Sequence, residues 1–204
     1  MLRKIKDGIL AVPWIYDRVR PLAAGGIDFE ALASFCATTP EDRVFDLGCG
    51  TGQLLPYLRF HSYLGADLDP QALRRASRLA SASVSFVAGD DWDRQYFELE
   101  PTVVLMIGVV HHLSDAAFRR IVERLSPPQS LRRIVTIDVT YLPDQWLNNL
   151  LSRMDRGRHV RTPQAYEKLF EFSGLKVTRG SVLPTRLRYV RYVGYHLTPE
   201  RVPR

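Results

Sequence analysis

Five short runs rich in apolar and β-branched residues, Arg43–Leu47, Ser62–Asp67, Val84–Ala88, Thr102–Ile107 and Arg132–Val139, recur along the chain. Helical patterns lie between them around Leu54–Phe60, Pro70–Ala80 and Ser114–Leu125. Repeated strand–helix units of this length bury their apolar faces as a parallel sheet with helices on both sides, because a parallel neighbour needs a long crossover. Pro70 suits a first helical turn and Ser114 an N-cap, which sharpens two of the helix starts. The rhythm then breaks. Helices are predicted at about Pro143–Arg153 and from Thr162-Pro163 to near Gly174, followed by strand-like runs Leu175–Leu183 and Leu187–Tyr195. Only Pro184-Thr185-Arg186 separates those two runs, too little chain for a crossover, so they are predicted to form an antiparallel hairpin at the sheet edge. The 204 residues suit one α/β domain with a doubly wound, mostly parallel sheet of about seven strands.

Within that domain, residues 1–40 read as an N-terminal helical cap, 41–140 as a ligand-binding core, and 141–204 as lid helices plus the hairpin. Ile5, Ile9, Val12, Tyr16 and Val19 fall on one face of a helix that Pro13 kinks. Two cysteines, Cys36 and Cys49, are too few for a disulfide framework, and a reducing, cytoplasmic setting is expected. The longest apolar run, Val103–Val110, falls far short of the ~20 residues of a membrane span. The basic N-terminal segment offers at most a peripheral membrane contact. Charge is uneven: residues 126–204 hold 14 Lys and Arg against 6 Asp and Glu, whereas residues 1–125 hold 14 against 16. A basic C-terminal third points to an anionic partner or to a solvated basic surface.

The densest chemical signal is Val44-Phe45-Asp46-Leu47-Gly48-Cys49-Gly50-Thr51-Gly52 at the end of the first predicted strand. A glycine-rich turn between strand and helix brings backbone amides close to a ligand. A dinucleotide fingerprint would need glycine at position 53, which is Gln53, and Asp46 would repel a pyrophosphate. The ligand expected here carries positive charge at this end.

These residues resemble the first motif of the class I S-adenosylmethionine-dependent methyltransferases, a Rossmann-like superfamily. Three further segments match in order: Asp67 and Leu68 at the end of the second strand, Asp90 and Asp91 after the third, and Val103–Leu113 at the fourth. The resemblance implies S-adenosylmethionine as co-substrate. It gives Asp67 the two ribose hydroxyls, Asp90 the adenine amino group and the Asp91 amide the adenine ring. Asp46, Gly48, Cys49, Gly50, Leu68 and Ile107 line the remainder of the cofactor site in the same reading. The ends, Pro13-Trp14-Ile15-Tyr16-Asp17 and Asp155-Arg156-Gly157-Arg158-His159-Val160-Arg161, look like a small bacterial subgroup of that superfamily. They place Tyr16 over the cofactor and make Arg156 and Arg161 candidates for holding an anionic substrate.

Methyl transfer from a sulfonium asks mainly for alignment and exclusion of water. A hydroxyl acceptor also needs a base, and His111 and His112 are the titratable residues at the end of the fourth strand. The expected acceptor is a small molecule or a lipid-linked or glycan-type intermediate. Nucleic-acid base methylation is disfavoured, because Ile107-Gly108-Val109-Val110 replaces the Asp/Asn-Pro-Pro-aromatic pattern and no Pro-Cys pair follows the strand. An RNA 2′-hydroxyl target and a non-catalytic, cofactor-binding partner protein are the rival readings. No metal is expected from the sequence, since His111, His112 and His159 with two distant cysteines make no familiar ligand spacing.

Overall fold

A computed structural model of the chain describes residues 26–125, 129–155, 157–186 and 189–200. Seven strands form one sheet: β1 Arg43–Leu47, β2 Ser62–Asp67, β3 Val84–Ala88, β4 Val103–Ile107, β5 Arg133–Val139, β6 Leu175–Pro184 and β7 Arg191–Pro199. Their spatial order is β3-β2-β1-β4-β5-β7-β6. The first five strands pair in parallel, and β7 runs antiparallel to both β5 and β6. The expected doubly wound sheet with an antiparallel C-terminal hairpin is therefore the architecture found.

Strand alternation sorts the sheet into two cores. Phe45, Leu64, Val104, Met106 and Ile134 face one side, where they meet Trp92, Tyr96, Phe118, Tyr166 and Phe170. Those partners come from the loop before α3 (Asp93–Leu99) and from α3, α4 (Asp115–Leu125) and α6 (Pro163–Phe172). Their chain neighbours Val44, Tyr63, Val103, Leu105 and Val135 face the other side, against Leu32, Phe35 and Cys36 of α1 (Phe29–Cys36) and Leu54, Leu55 and Leu58. Each core strand is thus buried on both faces, as a parallel sheet requires.

Several elements depart from the sequence expectation. Helix α2 spans Pro70–Ala76, with Asp69 capping it by accepting from the Gln71 amide at 2.8 Å, and it tightens into a 3₁₀ turn at Ser77–Leu79. The helix expected around Leu54–Phe60 is only a 3₁₀ turn, Leu55–Tyr57, in which Pro56 supplies no amide donor. Helix α5 is Trp146–Met154, starting later than Pro143. Helix α3 had no counterpart among the expected elements, and α1 falls within residues 1–40, which read from sequence only as a helical cap without its bounds. The final strand begins at Arg191 rather than Leu187, with the Val190 carbonyl just before it accepting from both the amide and the hydroxyl of Thr185 at 3.2 and 3.1 Å. The kinked helix read at residues 5–19 lies outside the described residues.

At the amino ends of the strands, buried Asp42 ties four chain segments together. Its carboxylate accepts from the Thr39 amide at 2.9 Å, the Thr102 hydroxyl at 2.5 Å and the Arg132 guanidinium at 2.5 Å. Its main-chain carbonyl accepts from the His61 amide at 2.7 Å.

On the α1 side, close approach decides one residue. A Cβ on Gly194 of β7 would stand 2.6 Å from a ring carbon of buried Phe35. Gly194→Ala should therefore cost about 1–3 kcal/mol by overpacking, read as a lower urea midpoint at unchanged slope. An unchanged midpoint would show that the α1 layer is free to yield.

Candidate functional site

The strand order reverses between β1 and β4, since β2 and β3 extend one way and β5 the other. Open α/β sheets bind ligands in the crevice at such a switch point, outside the carboxyl ends of the strands. A cavity of about 370 Å³ opens there, within the ~300–1,000 Å³ of ordinary ligand pockets. Among the residues singled out from sequence, Gly48, Asp67, Leu68, Asp90 and His112 line it, together with Trp92, Gly108, Val109, Leu113 and Ile121.

Gly48 is held at φ 80° and forms the start of the β1 loop. A side chain there would collide with Val109, so the absence of one keeps the mouth between β1 and β4 open. Its amide and that of Cys49 both donate to the Ala66 carbonyl, at 2.7 and 3.1 Å, which fastens the loop to β2. Asp67 orders the same loop from the other side. One of its oxygens accepts from the Gly50 amide at 2.7 Å and the other from the Asp69 amide at 2.8 Å. A carboxylate has about four lone-pair sites, so two remain for a ligand diol. Leu68 beside it is 74% exposed, an apolar side chain presented to the cavity rather than to the core.

On the opposite wall, Arg124 of α4 reaches across to the loop after β3. Its guanidinium bonds Asp90 Oδ1 at 2.7 Å and Asp93 Oδ2 at 2.6 Å and lies 4.3 Å from the Trp92 ring centroid. This brace fixes Asp90 at the cavity edge while most of its side chain stays exposed. Sequence reasoning passed over Arg124, because one arginine among 24 on an amphipathic helix carries no signal until its partners are known.

Other expected residues lie beneath or beside the cavity rather than on its wall. Asp91 is exposed, and Ile107 is partly buried at the end of β4. Gly108, at φ 72°, takes the wall position next to it. Cys49 packs against Gly65, and burial followed by the nearby Asp46 and Asp67 charges raises its thiol pKa, so it is a packed thiol and not a reactive one. Asp46 is buried under the loop, where its Oδ2 accepts from the Tyr63 hydroxyl at 2.7 Å. Tyr16 and Arg156 lie outside the described residues.

The two histidines part company. In the 3₁₀ turn Val110–His112, His112 faces the cavity while His111 is fully buried. The His111 amide and Nδ1 both meet Asp138 Oδ1 of β5, at 3.0 and 2.7 Å. Its Nε2 stands 3.2 Å from Asp155 Oδ1. Burial alone would depress the His111 pKa, but the hydrogen bond to Asp138 and the close negative charge of Asp155 outweigh it and lift the ring to about 9. The imidazole rings of His111 and His112 lie 4.1 Å apart. Arg161 is drawn into the protein rather than presented to the cavity. It donates to the carbonyls of Val110, His159 and Leu113 at 3.2, 2.7 and 2.8 Å and pairs with Asp115 at 2.7 Å. With so many of its donors engaged, it braces the histidine turn against α4.

Comparison with known proteins places these features in context. A family model described as a methyltransferase domain matches residues 45–128. An uncharacterized methyltransferase of Synechocystis sp. (strain PCC 6803), sll0829, is 30% identical over 145 residues, covering 66% of this chain and 66% of its own length. Among solved structures, a chain of the Haloferax volcanii complex between the Trm112 methyltransferase activator and a methyltransferase superposes with a TM-score of 0.67. It is 14% identical and the match covers 96% of this chain and 98% of that one. The magnesium protoporphyrin IX methyltransferase of Synechocystis PCC 6803, solved with bound S-adenosylhomocysteine, gives a TM-score of 0.59 at 17% identity, covering 83% and 80%.

Asp46 gives this site a measurable pH signature. Burial, offset in part by the Tyr63 hydrogen bond and reinforced by the Asp67 charge, raises its pKa from 3.8 to about 6. The native state then keeps a proton that the unfolded chain has released between about pH 4 and 6. Its contribution to stability is therefore greatest at the acid end and declines as pH rises through that window. Asp46→Asn, which cannot ionise, should gain on the wild type by on the order of 2–3 kcal/mol between pH 4 and 7, at about 1.4 kcal/mol per pKa unit. Parallel urea-stability curves for the two proteins across that range would rule out a raised Asp46.

Proposed function

We infer that this chain, which belongs to the class I S-adenosylmethionine-dependent methyltransferase superfamily, transfers a methyl group from S-adenosylmethionine to a small-molecule, lipid-linked or glycan-type acceptor, with anionic acceptors favoured. The observation that carries this is the convergence of Gly48, Asp67, Leu68 and Asp90 on one cavity at the β1/β4 switch point. The residues present suit that co-substrate. The missing side chain at Gly48 leaves a cradle, Asp67 keeps lone pairs for a vicinal diol, and exposed Leu68 offers an apolar surface for a purine ring. Asp90, braced by Arg124, is read as the acceptor for the adenine amino group, with the Asp91 amide against the ring. Gly48, Cys49 and Gly50 supply the backbone of the methionine end and Ile107 its floor, with Tyr16, outside the described residues, proposed as a further cofactor contact and Arg156, likewise outside them, as a substrate contact.

Bound S-adenosylmethionine would supply the methyl group on a sulfonium that is already activated for displacement. The chain's own part is to align and to shield. The β1 loop, fastened to β2 through Ala66 and Asp67, holds the site without reorganisation at the moment of transfer. Trp92, Val109, Leu113 and Ile121 line the cavity with apolar surface and thin the water around the dispersing charge. His112, on the cavity wall, is the group placed to take a proton from an acceptor hydroxyl, and His111 positions it by ring contact. Arg161 positions the same turn from behind, which leaves Arg156 as the lid arginine proposed to meet an anionic acceptor. A cytoplasmic setting is proposed on the two thiols, Cys36 and Cys49, neither of them in a disulfide. Among the described residues no helix is long and apolar enough to cross a membrane.

Calorimetry with S-adenosylhomocysteine tests the reading directly. Saturable binding is expected, and Asp67→Ala should weaken it by about 1–3 kcal/mol through loss of charge-assisted hydrogen bonds to the ribose. Folded protein that binds NAD and ignores S-adenosylhomocysteine would overturn it. Methyl transfer to a panel of anionic, neutral and RNA acceptors, followed by release of S-adenosylhomocysteine, then identifies the acceptor class.

A further inference from the structure

Beside the cavity, the segment after α5 folds back onto the histidine turn. The Asp155 carboxylate accepts from the Gly157 amide at 2.9 Å, and the His159 amide donates to the His111 carbonyl at 2.9 Å. Gly157 rests directly on the His111 ring, so close that a Cβ there would overlap a ring carbon and stand 2.8 Å from the His111 carbonyl. Thr140 at the end of β5 holds the far end of the segment by a bridge to Arg161, its hydroxyl 3.0 Å from the Arg161 carbonyl. Three side chains meet as a result. One ring nitrogen of His111, one of His112 and one carboxylate oxygen of Asp155 all lie within 4.8 Å of one another.

Hydrogen bonding accounts for only one of the two His111 ring nitrogens. The His111 Nδ1 is engaged with Asp138, which leaves Nε2 as the atom turned toward the cluster. Although Nε2 is 3.2 Å from Asp155 Oδ1, the two are not aligned as donor and acceptor, and among the described residues this atom has no hydrogen-bond partner in a fully buried ring. Buried polar atoms are normally satisfied, so an orphan inside a His/Asp cluster calls for a ligand. The His111–Asp155 spacing has the right size for one, and the exposed His112 ring, with a nitrogen within 4.8 Å of both atoms, completes the set by turning toward them. An ion ~2.0–2.1 Å from both atoms would subtend roughly 100° between them, close to a tetrahedral angle. The Asp138 carboxylate on Nδ1 supplies the partner that histidine ligands ordinarily have on their other nitrogen, where it fixes the tautomer and orients the ring.

We propose that His111 Nε2, His112 and Asp155 form a binding site for a divalent first-row transition-metal ion. Two imidazoles and a carboxylate suit zinc, manganese, cobalt or iron, and three protein ligands leave coordination positions open. Because His112 lines the cavity, the open positions face it, and an oxygen of the acceptor is the ligand they would take; with the ion bound, His112 is a ligand and no longer the base, and the ion lowers the pKa of the acceptor hydroxyl in its place. That last point rests on the methyltransferase reading; metal binding itself does not. Binding displaces the proton from His111 Nε2 to solvent, so the ion takes over the positive charge that the two carboxylates stabilise. The sequence hid the site because Asp155 lies far along the chain from the adjacent histidines, and only tertiary contacts of Asp155, Gly157 and His159 with His111 bring the third ligand to them.

The test uses the full chain, stripped with a chelator and titrated with Zn²⁺ by calorimetry and with Co²⁺ by visible absorption. One equivalent of each ion is expected, with the cobalt bands of a low-symmetry nitrogen and oxygen site. His112→Ala changes an exposed side chain and should fold as the wild type does, checked by its melting temperature without metal. It and Asp155→Asn should each weaken both ions at least tenfold, and Asp138→Asn should do so by about 10–100-fold through the His111 ring. No saturable binding by the wild type, or equal binding by wild type and His112→Ala, would overturn the site and leave His111 as an imidazolium held between two aspartates. A parallel titration with S-adenosylhomocysteine separates the outcomes: nucleoside binding without metal binding ends this inference alone, and the reverse ends the functional reading alone.

Discussion

The parallel pairing of β1 between β2 and β4 is the constraint on which the rest of this structure depends. Val44, Phe45 and Asp46 sit opposite Tyr63, Leu64 and Gly65 on one side and opposite Val103, Val104 and Leu105 on the other. That register brings the carboxyl ends of three strands to one level, and the loops leaving them turn away in different directions. A crevice is left where no helix crosses. The cavity-lining residues Gly48, Asp67 and Gly108 are the first residues past, or the last residues of, those strands. A one-residue slip in any pair would turn Phe45 or Leu64 out of its core and carry the site away with it.

Opposite ends of the sheet use buried charge differently. Asp42, at the amino ends, is surrounded by donors, and hydrogen bonds from Thr102, Thr39 and Arg132 overcome burial to hold its pKa below the usual value. Asp46, at the carboxyl end of the same strand, has one hydroxyl donor and a neighbouring carboxylate, and its pKa is raised. The first arrangement strengthens the fold as carboxylates ionise. The second stores an unfavourable charge under the loop where a cationic ligand would relieve it. Placing the strained carboxylate at the site and the satisfied one at the base follows the usual concentration of perturbed groups near function.

The C-terminal part of the chain closes the structure around the histidine turn. Arg161 ties that turn to α4, Thr140 ties β5 to the returning segment, and Asp138 reaches from β5 to His111. Tyr166 of α6 adds a bond from its hydroxyl to the Val139 carbonyl at 3.0 Å. The arginines of this region therefore do not act as one basic surface, because at least one is committed to internal carbonyls and its charge is shared with Asp115. Composition counted those charges correctly and said nothing about where they point.

The sequence by itself determined the fold class, the five parallel strands to within a residue at their ends, and the positions of Gly48, Asp67, Leu68 and Asp90 at strand ends. Those features are local: apolar runs of strand length, turn glycines and capping residues act on their own neighbours in the chain. It placed α1 only as part of a helical cap and missed α3; the short apolar faces of both become helical by packing Phe35 and Tyr96 under the sheet. It also overextended the helix at Leu54–Phe60, where a 3₁₀ turn forms around Pro56. Tertiary structure alone decided which histidine is buried and which faces the cavity, that Arg124 braces Asp90, that Arg161 turns inward, and that Asp155 meets His111. Each of those contacts joins residues far apart in sequence, and the geometry that selects among many similar arginines, aspartates and histidines exists only once the sheet has set their distances.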